Sequence, residues 1–91
     1  MNREAAQVIA NQIRDKVEGR TGVLPQFLVE NYRVQRLNGT YTLLKINVGS
    51  GRYVHVEVFQ AGPADHALMT GLERDRSASD PFNNIASVSD H

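Results

Sequence analysis

Residues 34–60, "VQRLNGTYTLLKINVGSGRYVHVEVFQ", decide how this chain folds. Two glycine-bearing breaks, Asn38-Gly39 and Gly49-Ser50-Gly51, divide the stretch into runs of strand-forming residues. Asn-Gly is the favoured centre of a two-residue hairpin turn, because both positions require φ > 0. The pair therefore predicts a type I′ turn at Asn38-Gly39. In the run Tyr41 to Val48, Leu44, Ile46 and Val48 alternate with Leu43, Lys45 and Asn47. In the run Arg52 to Gln60, Val54, Val56 and Val58 take one face; Tyr53, His55, Glu57 and Phe59 take the other. A period of two places one side of each strand on a core.

Working upstream, Phe27 to Val34 reads as a further strand with Leu28, Tyr32 and Val34 on one face. Pro25 precedes it, where a missing N–H does least harm. Residues 3 to 18 change period: Ala6, Ile9, Ile13 and Val17 form an apolar stripe, with Asn11, Arg14, Asp15 and Glu18 on the polar side. This is an amphipathic helix, with Asn2 placed to cap it and Gly19 or Gly22 to stop it. Downstream, Gly62-Pro63-Ala64-Asp65 makes another connection and Ala67 to Leu72 a shorter final strand. From Glu73 the periodicity fades, Glu73-Arg74-Asp75-Arg76 reads as a solvated charged run, and residues 86–91 are expected to form a disordered tail. The result is an α+β layer: one helix over a four-stranded antiparallel meander. The helix should cover Leu44, Ile46, Val54, Val56 and Val58, each worth ~1.5–3 kcal/mol when fully buried.

The totals bound the rest. Ninety-one residues make one domain, taken as 1–85, that buries ~60–65% of its unfolded surface. Ten Lys+Arg balance ten Asp+Glu, which argues against a nucleic-acid or membrane-surface partner held by bulk charge. No cysteine is present, so there is neither a disulfide nor thiolate chemistry, and the chain fits a reducing compartment. Neither a signal peptide nor a spanning helix is expected. With no secretion signal, the glycosylation pattern Asn38-Gly39-Thr40 reads as accidental. His55, His66 and His91 lack metal-ligand spacing, and a structural or surface role is expected for the mid-strand His55. Asp65-His66 has no nucleophile in a recognisable motif, and Gly49-Ser50-Gly51 is too short for a phosphate loop. No metal, cofactor or enzymatic activity is predicted.

Three segments carry a resemblance: "DKVEGRTG" (15–22), "YRVQRLNGTYTLLKINVGSGRYVHVEVFQAGP" (32–63) and "SASDPFNNI" (77–85). Together they resemble the stefins, the disulfide-free, unsecreted branch of the cystatin family. The middle block holds the specific elements: Tyr32, the hairpin tip Gln35 to Gly39, the strand Thr40 to Val48, Tyr53-Val54-His55, Val58-Phe59 and Pro63. The resemblance implies a cystatin-like fold, with an antiparallel sheet of four to five strands wrapped around the helix. It also implies a cytoplasmic, reversible, competitive inhibitor of papain-like cysteine proteases of the cathepsin type. The implied contacts are Gln35, Arg36, Leu37, Asn38 and Gly39 at the first hairpin and Gly62 and Pro63 at the second loop, inserted as a wedge into the protease cleft. A third contact in the family is a glycine-bearing segment ahead of the helix, and no glycine precedes Gly19 here. Gly62 stands where the family often has leucine, and Arg36 and Asn38 are bulkier and more polar than usual. Inhibition is therefore expected to be weaker and more selective than in a typical stefin. The implied state is a monomer, with a domain-swapped dimer available if the hairpin at Gln35 to Gly39 opens. The alternative is an interaction or structural protein of stefin fold that has lost inhibition.

Overall fold

The computed structural model describes residues 1–62, 64–82, 85, 87 and 88. One helix, α1 (Arg3–Thr21), precedes four strands: β1 (Leu28–Arg36), β2 (Thr40–Gly49), β3 (Arg52–Gln60) and β4 (Leu68–Arg76). The strands form an antiparallel sheet in the order β1-β2-β3-β4. This is the expected α+β arrangement, with helix and sheet in the predicted order.

The ends of α1 follow from local chemistry. The Asn2 side chain accepts a hydrogen bond from the Ala5 amide at 2.8 Å, satisfying an N–H with no intrahelical partner. Gly22, at φ 90°, ends the helix, and its amide donates to the Glu18 carbonyl. The helix thus runs three residues beyond the predicted Glu18, passing through Gly19. Its buried residues are Ala6, Ile9, Ala10, Ile13 and Val17. They pack with Leu44, Ile46, Val54, Val56 and Val58, as the period-two pattern requires.

Three expectations need correction. Leu28 does not share a face with Tyr32 and Val34. It is 51% exposed, while Val29 is fully buried opposite Ile46. The pairing of β1 with β2 shifts between Val29 and Asn31, so Glu30 is an extra residue that reverses the alternation. The turn after β1 is not a two-residue one: Arg36 pairs with Thr40, leaving Leu37, Asn38 and Gly39 as a three-residue loop. Both Asn38 (φ 50°) and Gly39 (φ 123°) have the positive φ the pair suggested. Finally, β4 continues to Arg76, through the segment read as a solvated run, because Glu73 and Arg76 pair with His55 and Tyr53.

The chain then turns back over the outer face of the sheet, the face opposite α1. Lys45 of β2 donates from Nζ to the carbonyls of Ala78 (2.6 Å) and Asp80 (2.7 Å), and the Phe82 ring lies 4.9 Å from that of His55. In the segment expected as a tail, Ser87 bridges Gly71 and the Val88 amide donates to the Thr70 carbonyl at 3.0 Å. The other residues of 86–91 lie outside the described residues.

Candidate functional site

An antiparallel meander brings the end of β1, the start of β2, the end of β3 and the start of β4 to one end of the sheet. Gln35 to Gly39 and Gly62 therefore share that end, although more than twenty residues of chain separate them. The N-terminus joins them there, because the Tyr32 hydroxyl donates to the Met1 carbonyl at 2.9 Å. An open groove of about 480 Å³ connects all three parts, lined by Met1, Val8, Ile9, Arg36, Thr40 and Gly62, among others.

Within the first hairpin, Gln35, Arg36, Leu37 and Asn38 are exposed, and Gly39 is half-buried. Leu37 stands out, with 69% of its surface exposed at the apex of the loop. Its amide donates to the Gly39 carbonyl at 2.9 Å, which closes the loop. Arg36 Nη1 donates to Thr40 Oγ1 at 3.3 Å across the base. Beneath the loop, a Cβ on Gly39 would fall 2.6 Å from Phe59 Cε1, so the backbone there lies directly on the aromatic ring. Phe59 is in turn held by Tyr41, with ring centroids 4.8 Å apart and tilted by 48°. The loop is therefore a short apolar apex on an aromatic platform.

The second loop has its own fastening. The Asp65 amide donates to the Gly62 carbonyl at 3.0 Å, and Gln60 Nε2 to the Asp65 carbonyl at 3.1 Å. Pro63 lies outside the described residues. Gln12 of α1 accepts from the Ala67 amide at 3.4 Å, so the helix helps set the start of β4.

Three residues at this end were missed by pattern reading. Met1 and Val8 are 52% and 57% exposed and line the groove, and Leu68 is exposed at the start of β4. The signal for Val8 was present: it is an aliphatic residue outside the apolar stripe of the helix. Phe59 lies on the predicted face of β3 and, in addition, supports the first loop. Only the tertiary register puts it below Gly39.

Shifted titrations lie away from the loops. Asn47 Nδ2 and the Tyr53 hydroxyl each donate to the Glu30 carboxylate at 2.8 Å and hold its pKa below the usual carboxylate range. The same carboxylate raises the pKa of Tyr53. His55 and Lys45 sit on the outer face beneath residues 77–82, and burial pushes the His55 pKa down. Among the described residues, no group of three or more His, Asp or Glu could hold a metal ion, and no helix is long and apolar enough to cross a membrane. The loop end offers shape, apolar surface and backbone groups, which are the means of binding.

Comparison with known proteins adds kinship to this geometry. No family model matches the chain. Cystatin-A of Bos taurus is 32% identical over 77 residues, covering 81% of this chain and 79% of the relative. Leukocyte cysteine proteinase inhibitor 1 of Sus scrofa is 34% identical over 77 residues, covering 81% and 75%. Stefin-1 of Mus musculus is 31% identical over 74 residues, covering 78% and 75%. With these identities spanning most of both chains, and with one helix against an antiparallel meander, the chain belongs to the stefin family.

Proposed function

We propose that the protein is a reversible, competitive inhibitor of papain-like cysteine proteases of the cathepsin type, acting in the cytoplasm. The observation that carries this reading is the exposed Leu37 at the apex of a loop whose Gly39 rests on Phe59, at the same end as Gly62 and the N-terminus. Leu37 and the adjacent backbone of Gln35 to Gly39 fill the protease cleft beside its catalytic cysteine, and Gly62 and Pro63 form the second contact. A loop stiffened before binding loses less entropy on docking. Inhibition is occlusion: no bond in the inhibitor is made or broken, and neither a metal nor a cofactor takes part. The name of the porcine relative, a cysteine proteinase inhibitor, supports the same target class.

The inhibitor works as a monomer, and exchange of the strands around the first hairpin is its route to a dimer. Arg36, Asn38 and Gly62 make the contact more selective than a small apolar wedge would be. Titration of active-site-counted papain and a cathepsin with the purified chain tests the reading. Stoichiometric, reversible loss of activity, competitive with substrate, is expected. A folded chain that leaves both enzymes untouched would assign the molecule to interaction or structural work instead.

A further inference from the structure

On the outer face of the sheet, His55 is fully buried, and neither ring nitrogen has a hydrogen-bond partner among the described residues. A polar group in that state exacts a desolvation cost, and protonation would raise it. Over it lies the segment Ser77 to Phe82, which crosses back over the sheet after β4 and brings the Phe82 ring against the imidazole. Two things hold this segment down. Lys45 Nζ grips the Ala78 and Asp80 carbonyls, and Phe82 covers the imidazole with ring centroids 4.9 Å apart. The segment is also internally tied, with Ser77 N–H donating to Asp80 Oδ2 at 2.7 Å and Asp80 N–H to the Ser77 carbonyl at 3.2 Å. It starts beside an irregular stretch. Between the pairs Tyr53↔Arg76 and His55↔Glu73 the register shifts, and Asp75 there has φ 58°.

We propose that residues 77–82 are an acid-released strap: protonation of His55 opens it from the outer face of the sheet. The charges around the imidazole favour release. Lys45 on β2 and Arg76 on β4 oppose a proton on His55, whereas Asp80 on the strap and Glu73 on β4 favour it. Glu73 is bridged to Arg76 at 3.3 Å and the Asp80 carboxylate accepts from the Ser77 amide, and the two acids act on the imidazole more weakly than the two cations. Glu57, farther along β3, accepts from the Thr70 hydroxyl at 2.9 Å. Arg33 and Lys45 also approach the Phe82 ring, at 5.7 and 5.8 Å, so an imidazolium at 4.9 Å from the same ring would share it with two cations. Burial, the largest influence, acts in the same direction as Lys45 and Arg76.

The sign of the linkage is definite. With the strap open, His55 is solvated and titrates near the ordinary 6.5; with the strap closed, its pKa is lower. The open form therefore binds the proton first. The advantage of the closed form is complete above 6.5 and is lost as pH falls through the closed-state value. One linked proton raises the open-to-closed ratio by at most about tenfold per pH unit in that window.

The test is NMR of the full chain from neutral pH into the acid range. It follows the His55 ring, the Phe82 ring and amide-exchange protection of Ser77 and Asp80, corrected for intrinsic rates. In the natural protein, strap protection and the Phe82 signals should change together with His55, with a midpoint below 6.5. His55→Leu should keep the strap closed across the range. Phe82→Ala, which removes the cover without touching the imidazole, should move the His55 midpoint up towards the ordinary value, and it decides the matter if His55→Leu does not fold. The proposal is overturned if the strap stays protected while His55 titrates. It is equally overturned if His55→Leu loses protection over the same pH range, or if the His55 midpoint does not move in Phe82→Ala.

Discussion

Gly39 and Phe59 are in direct contact, leaving no room between them for even a methyl group. A Cβ at position 39 would lie 2.6 Å from Phe59 Cε1 and 2.9 Å from the Gln60 carbonyl oxygen, and the φ of 123° already disfavours any L side chain. The glycine is thus required by the tertiary contact as well as by the turn. The family resemblance drew attention to the same position because it closes the hairpin tip.

Gly39→Ala should destabilise the fold by about 1–3 kcal/mol, since the ring is held by Tyr41 and the carbonyl belongs to β3. It should also displace the loop and weaken protease inhibition. Urea unfolding beside a papain titration measures both. Unchanged stability would mean that the Phe59 ring moves aside freely.

Leu37→Ala separates binding from folding. Leu37 is 69% exposed, so its truncation should change stability by no more than about 0.5 kcal/mol. If the apex fills a cleft, losing the buried leucine should cost ~1–3 kcal/mol of binding, roughly fivefold to 150-fold in the inhibition constant. An identical inhibition constant would remove Leu37 from the contact.

Ile13→Ala tests the helix–sheet core. Ile13 is 1% exposed and belongs to the cluster with Leu44, Ile46 and Val56. Truncation should cost about 2–5 kcal/mol, visible as a large fall in the urea midpoint. A shift of a few tenths would show that the helix contributes little to holding the sheet.

Glu30→Gln addresses acid sensitivity. Asn47 first, and then Tyr53, hold the Glu30 pKa below its ordinary 4.5. A depressed carboxylate contributes stability that is complete above 4.5 and is lost as pH falls through the folded-state value. The natural chain should therefore exceed the variant in stability at neutral pH, and the gap should narrow in acid. Unfolding midpoints at pH 7 and pH 3 provide the check; parallel curves would contradict it.

Much of this architecture was legible in the residues. Val54, Val56 and Val58 announce a half-buried strand, Ala6, Ile9, Ile13 and Val17 a helix face, and Asn2 its cap. Each of these signals is local, so neighbouring residues suffice to express it. The error at Leu28 has a different origin. Strict alternation from Tyr32 back to Leu28 assumes an unbroken ladder, but Glu30 is an extra residue against β2. Its carboxylate reaches Asn47 and Tyr53, partners that lie 17 and 23 residues away. The continuation of β4 to Arg76 was hidden similarly, because charged residues join a strand when a neighbouring strand offers them hydrogen bonds.

By itself, the sequence determined the element types, their order, the apolar faces and the positive-φ turn at Asn38-Gly39. Hydrophobic period and backbone sterics act over a few residues and leave their mark on composition. Tertiary structure alone decided that Gly39 rests on Phe59, that Met1 and Val8 share an end with Leu37, and that residues 77–82 close over His55. Those contacts depend on strand register and on where the chain returns, and no pattern of adjacent residues encodes the distance between two side chains brought together by folding.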